Sequence, residues 1–377
     1  MQQTEQTELL AELLGLKEAK QCFLDERMTQ SPVEDYTDPR RFERERARVF
    51  GELPQILAHS SELAQPNGFL RRELNRRPLL LTRGEDGEAR VFLNVCRHRG
   101  TRLVDDATGC RQRFTCPYHA WTWNNRGDFI GAPHFDAGFP DLDRTTLGLR
   151  RVPTTEAHGF IWTVPAERSG ELSQHLAPLE EDLAWIGTQT LTVHDTQVHT
   201  WRCNWKLLVE GGLEAYHFRV AHRKTIAALF NDNLSSYRCF GPHIRSVLPR
   251  STIAELNQQP PEAWCIRDYA NVLYTVFPTS MLLVQADHVI WVGLDAQGPA
   301  QTQVRVATLK PSAPGQDDSY WDRNHALTVA TLREDFELAE SMQAGMGSGA
   351  NTALRFGRFE GALHRFNETV RAAAGRA

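Results

Sequence analysis

Two short stretches constrain this chain more than any other feature: NVCRHRG, with Cys96 and His98, and FTCPYHAW, with Cys116 and His119. Each offers one thiol and one imidazole, as Cys-x-His and Cys-x-x-His, and 17 residues separate the pairs. Two mixed pairs on neighbouring loops suit an asymmetric iron–sulfur centre. In such a centre thiolates hold one iron and neutral imidazoles the other, which raises the reduction potential. A zinc site of two cysteines and two histidines is the rival, although zinc motifs usually pair like with like. Structural cysteines with incidental histidines would explain one such pair more easily than two.

The surrounding pattern, roughly 51–165, is one of short strands and turns. LLLTR and ARVFLNV flank GEDGE, and FTCPYHAWTW and FIGAP flank NNRG; both are hairpin signals with glycine in the turn. Upstream, ELLAELLGL carries an apolar stripe and DPRRFERERARVF reads as a second helix start. Downstream, SGELSQHLAPLEEDL reads as loop and helix, LTVHDTQVHTWRCNW as a strand, and WKLLVEGGLEAYHF as a helix. Further strands follow at 270–310 (VLYTVFP, MLLVQA, HVIWVGLDA, TQVRVATLK), and 321–374 is helix-rich. At 377 residues two domains are expected. The reading is α+β: a small all-β module at 51–165 inserted in a larger domain made of the helical segment 1–50 and residues 166–377.

Composition enters as exclusion. With 42 basic and 47 acidic residues the formal charge is −5, which argues against a nucleic-acid binder. No run of 18 apolar residues predicts a membrane span, and MQQTEQTELL lacks a secretory signal. A cytoplasmic location with reduced thiols is therefore expected. Of seven cysteines, Cys22, Cys110, Cys203, Cys239 and Cys265 read as plain buried thiols.

A second constellation lies in NWKLLVEGGLEAYHFRVAH, residues 204–222, where His217 and His222 are five apart. On a regular helix that is ~140° beyond a full turn, so a shared ligand requires a break or π-bulge. Two imidazoles and a carboxylate form the facial triad of non-haem Fe(II) oxygenases. An amphipathic helix carrying two histidines is the plain alternative.

CRHRG followed by CPYHAW resembles the signature of a Rieske [2Fe–2S] domain, in the form found in Rieske-type ring-hydroxylating oxygenase α subunits. NWK-x3-E-x3-E-x-YH-x4-H resembles the catalytic motif of the same family, and the likeness spans about 36 to 370. Neither loop carries the extra disulfide-forming cysteine of respiratory Rieske proteins. The resemblance implies that Cys96 and Cys116 hold one iron and His98 and His119 the other, with Trp121 packed against the cluster. It implies a mononuclear iron held by His217, His222 and Asp335. LREDFELAESMQAGM resembles the family's ED-x4-E-x2-Q-x-G run, bracketed by Glu340, Gln343 and Gly345, with Glu334, Glu337 and Glu340 as competing carboxylates. Such a run also reads as a solvated helix face.

Glu214, three residues before His217, is implied to bridge His217 to His119 of a neighbouring subunit. Most aromatic-ring dioxygenases carry aspartate there; glutamate resembles the choline, betaine and carnitine oxygenase branch. Gly211 stands where the family commonly has asparagine after the residue matching Glu210. The implied fold is an antiparallel sheet flanked by helices (helix-grip, START-like) bearing the inserted module. The implied activity is O2 activation at Fe(II), hydroxylating or oxidatively demethylating a small aromatic compound or a quaternary or methylated amine. Electrons would come from NAD(P)H through a separate flavin or iron–sulfur reductase or a ferredoxin, since no G-x-G-x-x-G follows a strand here. A homotrimeric ring is the family expectation. The alternative is a Rieske electron-transfer protein with a non-catalytic second domain.

Tyr216, Phe218, Phe230, Tyr237, Trp264, Tyr274, Phe277 and Trp291 are candidates for a cation–π cage, ring stacking or a plain core. Arg219, Arg223, Lys224 and Arg245 are candidates for holding a substrate carboxylate. His243 and His288 read as ordinary polar residues.

Overall fold

The computed structural model describes residues 1–163, 171–313 and 315–375. The chain forms two compact units, Met1–Leu53 with Gln174–Ala377, and Pro54–Ser173. The expected boundary at 165/166, and Ser169 and Gly170 of the predicted loop, lie outside the described residues.

The Pro54–Ser173 unit is built from small antiparallel sheets. One has five strands in the order Arg151–Val152, Ala89–Leu93, Arg77–Arg83, Gly68–Leu74, Thr108–Cys110. Another pairs Arg113–Thr115, Thr122–Asn124 and Phe129–Gly131. Both predicted hairpins form, Arg77–Arg83 with Ala89–Leu93 and Thr122–Asn124 with Phe129–Gly131. Gly87 (φ +81°) and Gly127 (φ +88°) make their turns in the left-handed region that favours glycine. Phe69, Phe92, Phe114, Trp121, Trp123 and Phe135 fill the core beside Cys96 and Cys116.

The other unit carries a seven-stranded antiparallel sheet: Leu191–Trp201, Gln301–Pro311, Val289–Gly298, Ser280–Val284, Ala270–Val276, His243–Pro249, Ser236–Phe240. The helix Asp318–Met346 starts on an Asp317 cap, whose side chain accepts from Tyr320 N. It packs on the two strands Leu191–Trp201 and Gln301–Pro311, with Phe336 edge-to-face on Trp201 at 5.4 Å. The helices Pro39–Arg48 and Gly361–Ala374 contribute to a core that includes Phe42, Phe50, Trp205, Phe277 and Phe366. Buried Leu9, Leu10, Leu13 and Leu14 give Gln3–Glu18 the apolar stripe read from the sequence.

Two expectations are corrected. The helix expected through WKLLVEGGLEAYHF is two short ones, Trp205–Glu210 and Phe218–Ala221. Gly211 and Gly212 favour a break, and a Cβ on Gly212 would lie 2.8 Å from Leu273 Cδ2, so the chain passes hard against the sheet there. Of the five thiols read as buried, only Cys203 is. Cys110 and Cys239 lie exposed on edge strands, Thr108–Cys110 and Ser236–Phe240, where among the described residues no neighbouring strand covers the outer side. Among the described residues no helix is long and apolar enough to cross a membrane.

Candidate functional site

In the Pro54–Ser173 unit the two Cys/His loops are built alike. Cys96 N donates to Thr101 O and Gly100 N to Cys96 O; Cys116 N donates to Trp121 O and Ala120 N to Cys116 O. The residue four beyond each cysteine has positive φ, Gly100 at +81° and Ala120 at +55°. Both cysteines are buried, their thiols within hydrogen-bond reach of each other, whereas His119 is exposed. The His98 and His119 rings lie 4.9 Å apart. Trp121 stacks on His98, with centroids 4.9 Å apart and planes within 5°. Burial raises the Cys96 thiol, partly offset by N–H groups of His98 and Arg99, while burial and then His119 lower His98. Two thiols and two imidazoles brought together on these two loops are the donor set a Rieske cluster needs.

In the larger unit, the ligand atoms of His217, His222 and Asp335 all lie within 4.8 Å of one another. The Nε2 atoms of the histidines are 3.1 Å apart, and Asp335 Oδ1 is 3.4 Å from His217 Nε2 and 3.0 Å from His222 Nε2. The one-turn helix Phe218–Ala221 solves the spacing problem: His217 is its N-cap and His222 its C-cap, so both imidazoles sit just outside the helix. Each ring is oriented from behind. Glu214 accepts from His217 Nδ1 and from the Tyr216 and His217 backbone N–H groups. Glu334 accepts from His222 Nδ1 at 3.0 Å and from Thr225 Oγ1 at 2.6 Å. With both Nδ1 protons so engaged, both Nε2 atoms face Asp335.

Burial opposes charge on His217, but Asp335 and Glu214 outweigh it and push the imidazole up to about 10. Burial opposes ionisation of Asp335 too, yet hydrogen bonds from His217 and His222 hold its carboxyl below the usual range. Two imidazole nitrogens and a carboxylate facing one point form the two-histidine, one-carboxylate donor set of non-haem iron. Asp335 is placed by its helix, which Glu340 and Gln343 fasten by accepting from Arg202 N and Asn204 N, both at 2.7–2.8 Å. Of the competing carboxylates, Glu337 is exposed, Glu340 serves this clasp, and Glu334 backs His222.

His222 and Asp335 open onto a cavity of about 670 Å³ whose body is aliphatic, lined by Leu248, Leu273, Met281, Leu283, Ile290 and Val292. A Cβ on Gly211 would lie 3.9 Å from Asp335 Cβ, so the glycine keeps the wall beside Asp335 clear of a side chain. Tyr320, Asn324, Thr328, Thr331 and Asp335 line the cavity along one helix face. Tyr320 is thus about 22 Å along the helix from Asp335, at ~1.5 Å per residue. The polar groups lining the cavity include Arg250, Glu255, Asp268, Gln285, Asp287 and His288. His288 Nδ1 donates to Asp287, and Tyr320 donates to the other Asp287 oxygen at 2.6 Å.

Of the eight aromatic candidates, only Phe218 and Phe230 line this cavity. Strand alternation turns Tyr274 and Trp291 away while Leu273, Ile290 and Val292 face it. Tyr216 is exposed and Tyr237 bonds Asp25. None of the four basic candidates lines it either. Arg245 is buried between Glu5 and Asp182, Arg219 pairs with Asp232, and Arg223 and Lys224 are exposed. Arg250, which does line it, carried no sequence signal; neither did Glu334 as a partner of His222.

Comparison with known proteins agrees with this architecture. A family model for the Rieske [2Fe-2S] domain matches residues 54–153, and one for the ring-hydroxylating alpha subunit catalytic domain matches 188–375. The glycine betaine monooxygenase oxygenase subunit of Chromohalobacter salexigens is 27% identical over 360 residues, covering 85% of this chain and 80% of that one. The N,N-dimethyl phenylurea N-demethylase alpha subunit of a Sphingobium species is 32% identical over 210 residues, covering 53% of this chain and 44% of the relative. The fold is shared with a solved quaternary ammonium Rieske monooxygenase (TM-score 0.78, 22% identity, 92% of this chain and 96% of that one). It is shared equally with naphthalene 1,2-dioxygenase from Rhodococcus (TM-score 0.78, 20% identity, 98% of both chains). An iron–sulfur module joined to a non-haem iron domain defines an oxygenase. The chain belongs to the Rieske-type ring-hydroxylating oxygenase α subunits.

Proposed function

We propose that Cys96, Cys116, His98 and His119 hold a Rieske cluster, and that His217, His222 and Asp335 hold a mononuclear Fe(II) at which a small organic substrate is hydroxylated or oxidatively demethylated. The observation that carries this reading is the convergence of two oriented imidazoles and one carboxylate on a deep apolar cavity. When bound, the metals supply one-electron transfer and O2 activation. The chain's own residues do the rest. Glu214 and Glu334 keep both Nε2 atoms free to ligate, and the aliphatic walls exclude water and seat the substrate. Electrons come from NAD(P)H through a separate reductase. They pass between the His119 and Glu214 faces of neighbouring chains in a homotrimer; His119 is exposed on its unit, and inter-subunit electron transfer is described for a structural neighbour. A cytoplasmic setting follows from a reductase of that kind.

On substrate, the aliphatic body of the cavity favours an uncharged apolar part at the reacting end, because seating a bare cation there would cost its hydration. A methylated ammonium substrate is the second reading, favoured by Glu214 and by the betaine oxygenase relative. One experiment tests both. Chain loaded anaerobically with Fe(II) is expected to retain about three irons. With reductase, NADH and ¹⁸O2 it is turned over against a panel of aromatic methyl compounds and betaines. Retention of only two irons together with neither a labelled hydroxylated product nor released formaldehyde on any substrate would refute the oxygenase reading; formaldehyde and demethylated amine from betaines alone would select the second.

A further inference from the structure

The Pro54–Ser173 unit carries an arginine surface that its fold does not neutralise. We propose that a hollow ringed by Arg77, Arg97, Arg150 and Arg151 is the docking surface for an acidic electron-donor protein. The proposal rests on the reading of Cys96, His98, Cys116 and His119 as cluster ligands. Residues 54–173 contain 16 arginines, no lysine and 14 carboxylates. Many of those arginines are paired at home: Arg72 with Glu62, Arg83 with Glu156, Arg90 with Asp86, Arg111 with Asp106, Arg144 with Asp136. The four around the hollow are all exposed, and no carboxylate of the described residues lies within 4.0 Å of any of their guanidinium groups. The nearby Asp143 is engaged in its own turn, accepting from Thr145 N at 2.8 Å and Thr145 Oγ1 at 2.7 Å.

The sheet assembles this charge. Arg151 pairs with Phe92 across the edge of the five-stranded sheet, and Arg77 opens the strand on the other side of Ala89–Leu93. Arg97 stands on the loop between Cys96 and His98 and lines the same hollow, of about 550 Å³. Gathering four like charges on one rim opposes folding, so the arrangement serves what it meets. Guanidinium groups hold carboxylates bidentately and keep their charge at every working pH. A partner with a carboxylate-rich face is steered to them and docks next to the cluster loop. With a cluster held by Cys96, His98, Cys116 and His119, one electron would pass to it from the reduced centre of the donor, with no bond made or broken.

The test uses the full chain with its cluster and a chemically reduced, acidic plant-type [2Fe–2S] ferredoxin as probe. Cluster reduction is followed by stopped-flow loss of absorbance, with dithionite as a small-molecule comparison. Arg150→Glu/Arg151→Glu is expected to slow reduction by the ferredoxin at low ionic strength by about tenfold or more, as lost steering does. The difference should shrink in high salt. Reduction by dithionite, an anion too small to need a docking surface, should slow far less, and Arg126→Glu, an exposed charge reversal outside the hollow, should be near wild type. Equal ferredoxin rates in wild type and the double variant would overturn the proposal. So would equal slowing with ferredoxin and dithionite, or slowing explained by an altered subunit assembly in sedimentation. A wild-type chain that dithionite cannot bleach would instead refute the cluster itself.

Discussion

Glu334 and Asp335 are neighbours on one helix and face different sides of the same histidine. Asp335 Oδ1 lies 3.0 Å from His222 Nε2, whereas Glu334 Oε2 lies 3.0 Å from His222 Nδ1. Removing them should therefore differ in kind. Asp335→Asn is expected to abolish retention of the mononuclear iron after desalting. Glu334→Ala should leave the site assembled but lower Fe(II) affinity by roughly 10–100-fold, as loss of a group that orients a ligand does, read by competition with a chelator. A buried carboxyl nearby gives a pH prediction. Burial pushes Glu210 up to about 7 from 4.5, against hydrogen bonds from Tyr36 at 2.6 Å and Asn367 at 2.7 Å. The native chain thus holds this proton more tightly than the unfolded one. Stability should fall as pH rises from 4.5 to about 7, by up to ~1.4 kcal/mol per pH unit, and this contribution is flat above. Denaturant unfolding of Glu210→Gln, which keeps an acceptor oxygen, should lose that slope. The donor types that converge here were legible in the sequence because their spacing is chemical. Which of two adjacent carboxylates touches which nitrogen was not, since one residue of helix is ~100° of rotation and needs the partner's position.

At the scale of elements, the segment Arg202–His222 is held from several directions. Asn204 caps Trp205–Glu210 by accepting from Lys206 N, and its amide donates to Tyr36 O and Pro299 O. Lys206, 1% exposed, donates to Glu45 at 2.6 Å, and Glu45 also accepts from Trp205 Nε1 at 2.9 Å. This ties the short helix to Pro39–Arg48. Glu45→Ala would strand a buried ammonium, so the larger unit should lose about 3–5 kcal/mol in chemical denaturation. A double variant with Lys206→Met should recover much of it, because the charge is then gone as well. The strands here were legible from alternation and the long helix from its length. The break after Glu210 was not, because apolar residues continue at helical spacing through GGLEAYHF; the paired glycines were the one local sign of it.

For the molecule as a whole, the −5 charge conceals an uneven distribution: residues 54–173 hold 16 of the 42 basic and 14 of the 47 acidic side chains, so the acidic excess lies elsewhere. The same division into two units frames the question of where an electron goes. His119 is exposed on its own unit, and Glu214, 7% exposed, is bonded to His217 on the other. If the proposed trimer passes electrons between chains, a chain without a cluster and a chain without the iron site should rescue each other. Cys96→Ala removes a proposed cluster ligand and Asp335→Ala a proposed iron ligand, each alone expected to be inactive. In a randomly mixed ring, a donor with an intact cluster faces an acceptor with an intact iron site at roughly one quarter of the contacts. Co-expressed variants should then show about that fraction of wild-type turnover per chain. Transfer within one chain predicts none, since no chain in the mixture carries both sites. Adding Glu214→Gln to the Cys96→Ala chain, whose iron site accepts the electron, should abolish the rescue. Placing it on the Asp335→Ala chain should leave the rescue intact. That asymmetry assigns the bridge to the accepting subunit, and a rescue indifferent to which chain carries Glu214→Gln would rule the bridge out.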